Sequence, residues 1–133
     1  MTNRKMGNKF EREFAEILHR WGFWVHLLCQ NQDGQPADMI AVRNKRAYLI
    51  DCKVCSSGKG FDLSRVEDNQ ITAMTAWWEC GNGEGWFAVK QNEQIYMVPF
   101  FILNGFRERR SVLPADDMIM YGEPLEKWIL SCR

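Results

Sequence analysis

Apolar residues recur at helical spacing near the start of the chain, at Phe10, Phe14, Ile17, Leu18 and Trp21. This pattern predicts a helix over residues 7–21 that Gly22 stops. Residues 23–28 read as a strand, and the polar run over residues 29–36 as a loop. Residues 38–42 predict a second strand, which turns at Arg43-Asn44-Lys45 into a third over residues 47–54. Residues 55–60 are flexible by composition. A second helix is expected from Ser64, with Ser64 and Glu67 as a capping box and Ile71, Met74, Trp77 and Trp78 on one face, ending at Cys80-Gly81. Residues 85–91 and 94–100 predict two strands joined by a tight turn at Asn92-Glu93. Residues 104–121 are expected to be largely loop, and residues 124–132 a short closing helix.

The third strand contains a conflict. Tyr48, Ile50, Cys52 and Val54 fill one face, and Ala47 and Leu49 begin the other, so the strand reads as buried on both sides. Asp51 and Lys53 then emerge side by side on the second face. A buried charge costs several kcal/mol unless it is paired or bound to metal. Thirteen residues earlier stands Pro36-Ala37-Asp38, a further carboxylate at the start of the neighbouring strand.

At 133 residues with six Trp and eight Phe, the chain reads as one domain, 1–133, able to bury roughly two-thirds of its unfolded surface. No run of about 18 apolar residues occurs, and the opening Met-Thr-Asn-Arg-Lys has no apolar core. Neither a membrane span nor a secretory signal is expected. The setting is then cytoplasmic, or the host cytoplasm for a virus-encoded chain. Five cysteines fit free thiols better than a disulfide framework.

Net charge is zero, so the whole molecule has no attraction for nucleic acid. Local clusters differ from the sum: Arg4, Lys5, Lys9 and Arg12; Arg43, Lys45 and Arg46; and Arg107, Arg109 and Arg110. A phosphate surface needs only such a local track. Each cluster taken singly also reads as ordinary solvated charge.

Six stretches together carry a resemblance: the basic opening through Gly7 to Glu11-Arg12-Glu13-Phe14, the turn Trp21-Gly22-Phe23, Pro36-Ala37-Asp38-Met39-Ile40-Ala41, Leu49-Ile50-Asp51-Cys52-Lys53, Asp68-Asn69-Gln70, and Ile95-Tyr96-Met97-Val98-Pro99. In this order they resemble the nucleases named for a Pro-Asp and Asp/Glu-x-Lys signature, and within them the Holliday junction resolvases of archaeal and RecU type. The chain departs from that pattern in three places. Ala37 separates Pro36 from Asp38, Asp51 stands where Glu is usual, and the loop before Pro36 is amide-rich and contains Asp33.

The resemblance implies an α/β fold with a restriction-endonuclease-like core (αβββαβ), a central mixed sheet flanked by helices. It implies a Mg²⁺-dependent endonuclease, with Mn²⁺ able to substitute, that nicks branched or four-way-junction DNA as a homodimer and leaves 5′-phosphate and 3′-hydroxyl ends. Phosphodiester hydrolysis needs an activated water and charge neutralisation, and Mg²⁺ takes one or two carboxylates with oxygen donors. Asp38 and Asp51 fit as ligands, with the backbone carbonyl of Cys52 completing the shell and Glu11 from the first helix as a further ligand or a water-positioning group. Lys53 would stabilise developing charge. Gln70, on an apolar helix face, either supports Lys53 or a phosphate or simply caps a nearby backbone group. Arg4, Lys5, Lys9 and Arg12 are the expected DNA contacts.

Other readings use the same residues. A restriction or repair nuclease would act on linear or damaged duplex, and a non-catalytic DNA-binding module would retain the fold alone. Cys52-Lys53-Val54-Cys55 is a CxxC, but no second spaced pair accompanies it, so two ordinary thiols are expected. His19 and His26 are expected to be surface or half-buried side chains. Trp77, Trp78 and Trp86 are expected in the core, or else at a dimer contact.

Overall fold

The computed structural model describes residues 3–29, 37–55 and 60–132, and of residues 3–6 the backbone only. Helix α1 spans Asn3–Arg20 and buries Phe10, Phe14 and Leu18, one residue per turn on one stripe. Its end is a Schellman turn. Gly22, at φ +88°, donates its N–H to His19, and the Phe23 N–H reaches back to Leu18. A Cβ at Gly22 would meet nothing closer than 4.0 Å, so only the left-handed backbone opposes a side chain there. Gly22→Ala is therefore expected to lower stability by about 1–2 kcal/mol, read as a shift in the denaturant midpoint at unchanged slope.

Strands β1 (Trp24–Leu27), β2 (Met39–Arg43) and β3 (Arg46–Cys55) form an antiparallel meander. Asn44 and Lys45 turn the β2–β3 hairpin with φ of 53° and 68°, and Asn92 and Glu93 turn the later hairpin with φ of 50° and 64°. Both are the doubly left-handed turns that match strand twist. After β3 the chain makes a short strand, β4 (Phe61–Asp62), and a 3₁₀ turn (Leu63–Arg65). Helix α2 (Asp68–Glu79) follows, and the chain re-enters the sheet at β5 (Trp86–Gln91), parallel to β3. Strand β6 (Gln94–Pro99), helix α3 (Phe100–Arg107), β7 (Val112–Leu113), α4 (Ala115–Tyr121), β8 (Glu123–Pro124) and α5 (Leu125–Ser131) complete it. The six-stranded sheet runs β1-β2-β3-β5-β6-β8, and β4 pairs with β7 apart from it.

Helices α1 and α5 cover one face over Phe10, Phe14, Met39, Ile50, Ala88, Met97 and Trp128. Elements α2 to α4 cover the other over Leu49, Phe61, Met74, Phe87, Val89, Phe100 and Leu103. The expected mixed sheet flanked by helices is what the chain forms.

Several local expectations are corrected. The second helix begins at Asp68, not Ser64: Asp62 accepts from the Ser64 N–H at 2.9 Å and caps the 3₁₀ turn, while the capping box is made by Glu67 and Gln70. Residues 104–121 are not largely loop. They hold the rest of α3, where Phe100 and Leu103 are buried, then β7 and α4, where Met118 is buried. Phe100 opens α3 and does not close β6. Cys52 and Cys55 project from opposite faces of β3 into separate clusters, so the CxxC is no dithiol pair. Trp86 packs edge-on against Trp128 at 5.6 Å, whereas Trp78 stays 50% exposed against Phe101. Pro36, Asp33 and the rest of residues 30–36, and residues 56–59 of the glycine-containing stretch, lie outside the described residues. Among the described residues no helix is long and apolar enough to cross a membrane.

Candidate active site

The site forms where β2 ends and β3 continues. The last register pair is Met39 with Ile50, and just before it the Asp38 N–H donates to the Ile50 carbonyl at 3.1 Å. From Asp51 onward β3 has lost its β2 partner. Asp38 fills the gap with its side chain, whose Oδ2 accepts the Cys52 N–H at 2.6 Å. In an antiparallel ladder a residue's N–H and C=O lie on the same edge of its strand. The Cys52 carbonyl therefore opens on the edge where the Asp38 carboxylate stands.

Asp51 and Lys53 are adjacent on the α2 face of β3, 1% and 9% exposed. Lys53 Nζ lies 3.0 Å from Asp51 Oδ2. Lys53 is thus the close counter-charge of a carboxyl almost wholly removed from water. Burial pushes the Asp51 carboxyl well above the usual range; Lys53 opposes this and the Asp38 carboxylate adds to it. A cation bound beside Asp51 would favour its ionised form.

Glu11 sits half-buried on α1, and desolvation followed by the Asp38 charge raises its pKa to about 7, with Arg12 drawing it back. The Cys52 thiol is raised well above its ordinary value, by burial first and then by Asp38, Asp51 and Glu11. It is therefore an uncharged thiol beside three acids, not a reactive thiolate. Among the described residues, no three His, Cys, Asp or Glu side chains converge as a ready metal cluster. The arrangement instead offers two juxtaposed carboxylates and a strand-edge carbonyl, with Glu11 nearby. That donor set is hard and oxygen-only, and fits a cation that keeps much of its own water.

The other singled-out residues fall in different places. Gln70 is 5% exposed, and its amide oxygen accepts the Glu67 N–H at 3.2 Å, closing the capping box. Only its NH₂ is left to offer anything else. Lys9 and Arg12 are exposed on α1, while the Arg4 and Lys5 side chains lie outside the described residues. Glu13 faces away from the site and pairs with Lys90 at 3.4 Å.

Arg43 is not a phosphate contact. Its guanidinium covers the Phe23 ring at 4.4 Å and donates to the carbonyls of Trp21, Ile129 and Cys132, tying the ends of α1 and α5 together. Arg107 and Arg110 are engaged with Asp68 and Asp117 at 2.8 and 3.0 Å. His19 and His26 are exposed.

Gln91 escaped the sequence reading. It is 2% exposed, with a buried Oε1 that has no donor, on the face of β5 that carries Phe87 and Val89. An amide on the inward parity of a strand was the signal.

Comparison with known proteins agrees with this architecture. The chain is 26% identical over 99 residues, 74% of its own length and 69% of the relative's, to the crossover junction endodeoxyribonuclease Hjc of Methanocaldococcus jannaschii. It superposes on the crystal structure of Hjc from Archaeoglobus fulgidus, described as a Holliday junction resolvase from an archaeal hyperthermophile. The TM-score is 0.65 at 15% identity, covering 93% of this chain and 95% of the other. At that identity the superposition shows a shared restriction-endonuclease-like fold. The family described as archaeal Holliday junction resolvase (Hjc) matches residues 1–131, nearly the full sequence. The chain belongs to the archaeal Holliday junction resolvase family.

Proposed function

We propose that this chain is a Mg²⁺-dependent endodeoxyribonuclease that nicks four-way DNA junctions, working as a homodimer in the cytoplasm. The observation that carries the reading is the buried pair Asp38 and Asp51. They stand where a strand pair opens, with Lys53 as close counter-charge; burial, and then the Asp38 charge, raises the Asp51 carboxyl. Burying an ion pair of this kind is costly to the fold, and a site that binds a cation and a phosphate gives it a use. Asp38, Asp51 and the Cys52 carbonyl would hold the cation, and Glu11 stands close enough to Asp38 to contribute. When bound, Mg²⁺ would supply an activated water, neutralise charge at the phosphate and help the leaving oxygen.

The chain's own groups do the rest. Lys53 keeps a positive charge beside the carboxylates, where charge develops on the transferred phosphoryl group. Glu11, which burial raises to about 7 when no cation is bound, would join the cation or position the attacking water. Lys9 and Arg12, exposed on α1, together with Arg4 and Lys5, carry the phosphate track. Gln70 holds the start of α2 and, through its NH₂, supports the site from that side. Two symmetric nicks across a junction require two active sites related by a two-fold axis, which is the reason for a dimer.

The test is cleavage of a synthetic four-way junction beside a linear duplex of the same sequence, with Mg²⁺ or with EDTA. Paired nicks at the junction are expected with Mg²⁺ only, and Lys53→Ala should slow them by roughly 100-fold or more. Cutting of the linear duplex alone would leave the site in place and change the substrate. No cutting of either DNA would overturn the nuclease reading.

A further inference from the structure

The uncovered end of the sheet holds an aromatic pair that the catalytic reading does not use. Trp24 and His26 stack on β1 with ring centroids 5.8 Å apart and planes 7° from parallel. Both are exposed, Trp24 at 61%. Trp24 is the most exposed tryptophan among the described residues, and its indole face is free to meet another ring.

Strand register fixes where the pair lies. Trp24 stands opposite Val42, and His26 opposite Ile40. Val25, between them, packs into the cluster under α1 and α5, so Trp24 and His26 project from the opposite face. Ile40 pairs in turn with Leu49, and Met39 with Ile50. By alternation the face that carries Trp24, His26 and Ile40 carries Asp38, Asp51 and Lys53 as well. Four residue steps separate Val42 from Asp38, about 14 Å along the strand, and two separate Ile40 from Asp38, about 7 Å. Successive nucleotides rise about 3.4 Å per strand, so the pair lies within a few nucleotides of the acids. Beyond Trp24 the β2–β3 hairpin exposes Lys45, a cation for the backbone at the far end of the same path.

We infer that the Trp24–His26 stack is a platform for unstacked nucleobases at the branch point of junction DNA. The inference rests on the junction-nuclease reading and adds a means of recognition. A four-way junction interrupts base stacking at the exchange point, where a continuous duplex offers no free base face. An aromatic surface on the same sheet face as the acids would then favour junctions over duplex, while phosphate contacts serve both.

The experiment binds wild-type protein, in EDTA, to a four-way junction carrying 2-aminopurine at positions stepped outward from the branch point, with a matched duplex as control. Wild type is expected to change the emission at branch-point positions only. Trp24→Ala should lose that change and weaken junction binding by about 10- to 100-fold while duplex binding moves less than about threefold, and Trp24→Phe should restore most of it. Junction binding by Trp24→Ala equal to wild type overturns the inference. So does a loss of dimer in Trp24→Ala by light scattering with equal weakening on both DNAs, which would assign the surface to a second copy of the chain. Cleavage assays in Mg²⁺ separate the two levels. A wild type that cuts junctions beside an unaffected Trp24→Ala overturns the platform alone, and a wild type that cuts no junction overturns the function and the platform together.

Discussion

Asp51→Asn is expected to reduce junction cleavage by at least about a thousandfold, equivalent to about 4 kcal/mol of barrier, and yet to leave a more stable protein. The two effects share one origin. Asp51 is 1% exposed, next to Asp38, and burial raises its carboxyl more than Lys53, at 3.0 Å, draws it back. An amide of the same shape removes the ionisable group. Without metal, at a pH above the ordinary carboxyl range, where the raised Asp51 carboxyl costs the fold stability, that change should stabilise it by about 2 kcal/mol. Junction binding in EDTA should stay within about threefold of wild type, since the substitution removes a negative charge from the path of a phosphate. Activity within tenfold of wild type would exclude Asp51 as a ligand. Destabilisation in metal-free buffer would show instead that Asp51 serves the fold.

Much of this site was legible in the chain because strand alternation is strict. Asp51 and Lys53, two residues apart in a strand otherwise apolar on both faces, had to be buried neighbours. Gly22 marked the end of α1 for an equally local reason, since only a left-handed residue closes that turn. The two hairpins were visible as short polar breaks between apolar runs.

What escaped was set by packing between distant segments. Arg43 reads as one of three surface cations near a turn. Its guanidinium is in fact drawn inward by carbonyls near residues 21, 129 and 132, none of which is close in sequence. Helices α3 and α4 have eight and seven residues, too few for helical periodicity to stand out. The start of α2 was misplaced because Ser64 and Glu67 satisfy the capping pattern. The chain uses Asp62 one turn earlier and Glu67 with Gln70 for the helix itself. The exposure of Trp24 depends on which part of a sheet face the helices leave bare, and local sequence does not encode that.

The same carboxyl cluster should couple metal, pH and folding. Glu11 titrates at about 7 in the fold against an ordinary 4.5, and Asp51 is raised as well, both chiefly by burial. A carboxyl raised by folding stabilises the native state fully below its unfolded pKa. That stability is lost as pH rises through the folded value. Metal-free protein is therefore expected to lose stability steadily from about pH 4, the ordinary carboxyl range, toward pH 8, as Glu11 and then Asp51 must ionise in place. A divalent cation binds the ionised form, so its effect should run the other way. At ten times its dissociation constant, Mg²⁺ should add about 1.4 kcal/mol, or about 5 °C in Tm for a domain of this size, at pH 8 and very little at pH 5. Asp51→Asn should flatten the metal-free pH profile and abolish most of the Mg²⁺ shift, whereas Lys53→Ala should preserve the shift, since it leaves every proposed ligand in place. Thermal melts of the three proteins at pH 5 and pH 8, in EDTA and in Mg²⁺, make the comparison. A Mg²⁺ shift equal at both pH values, or one unchanged in Asp51→Asn, would place cation binding away from Asp38 and Asp51 and remove the basis for assigning them the metal.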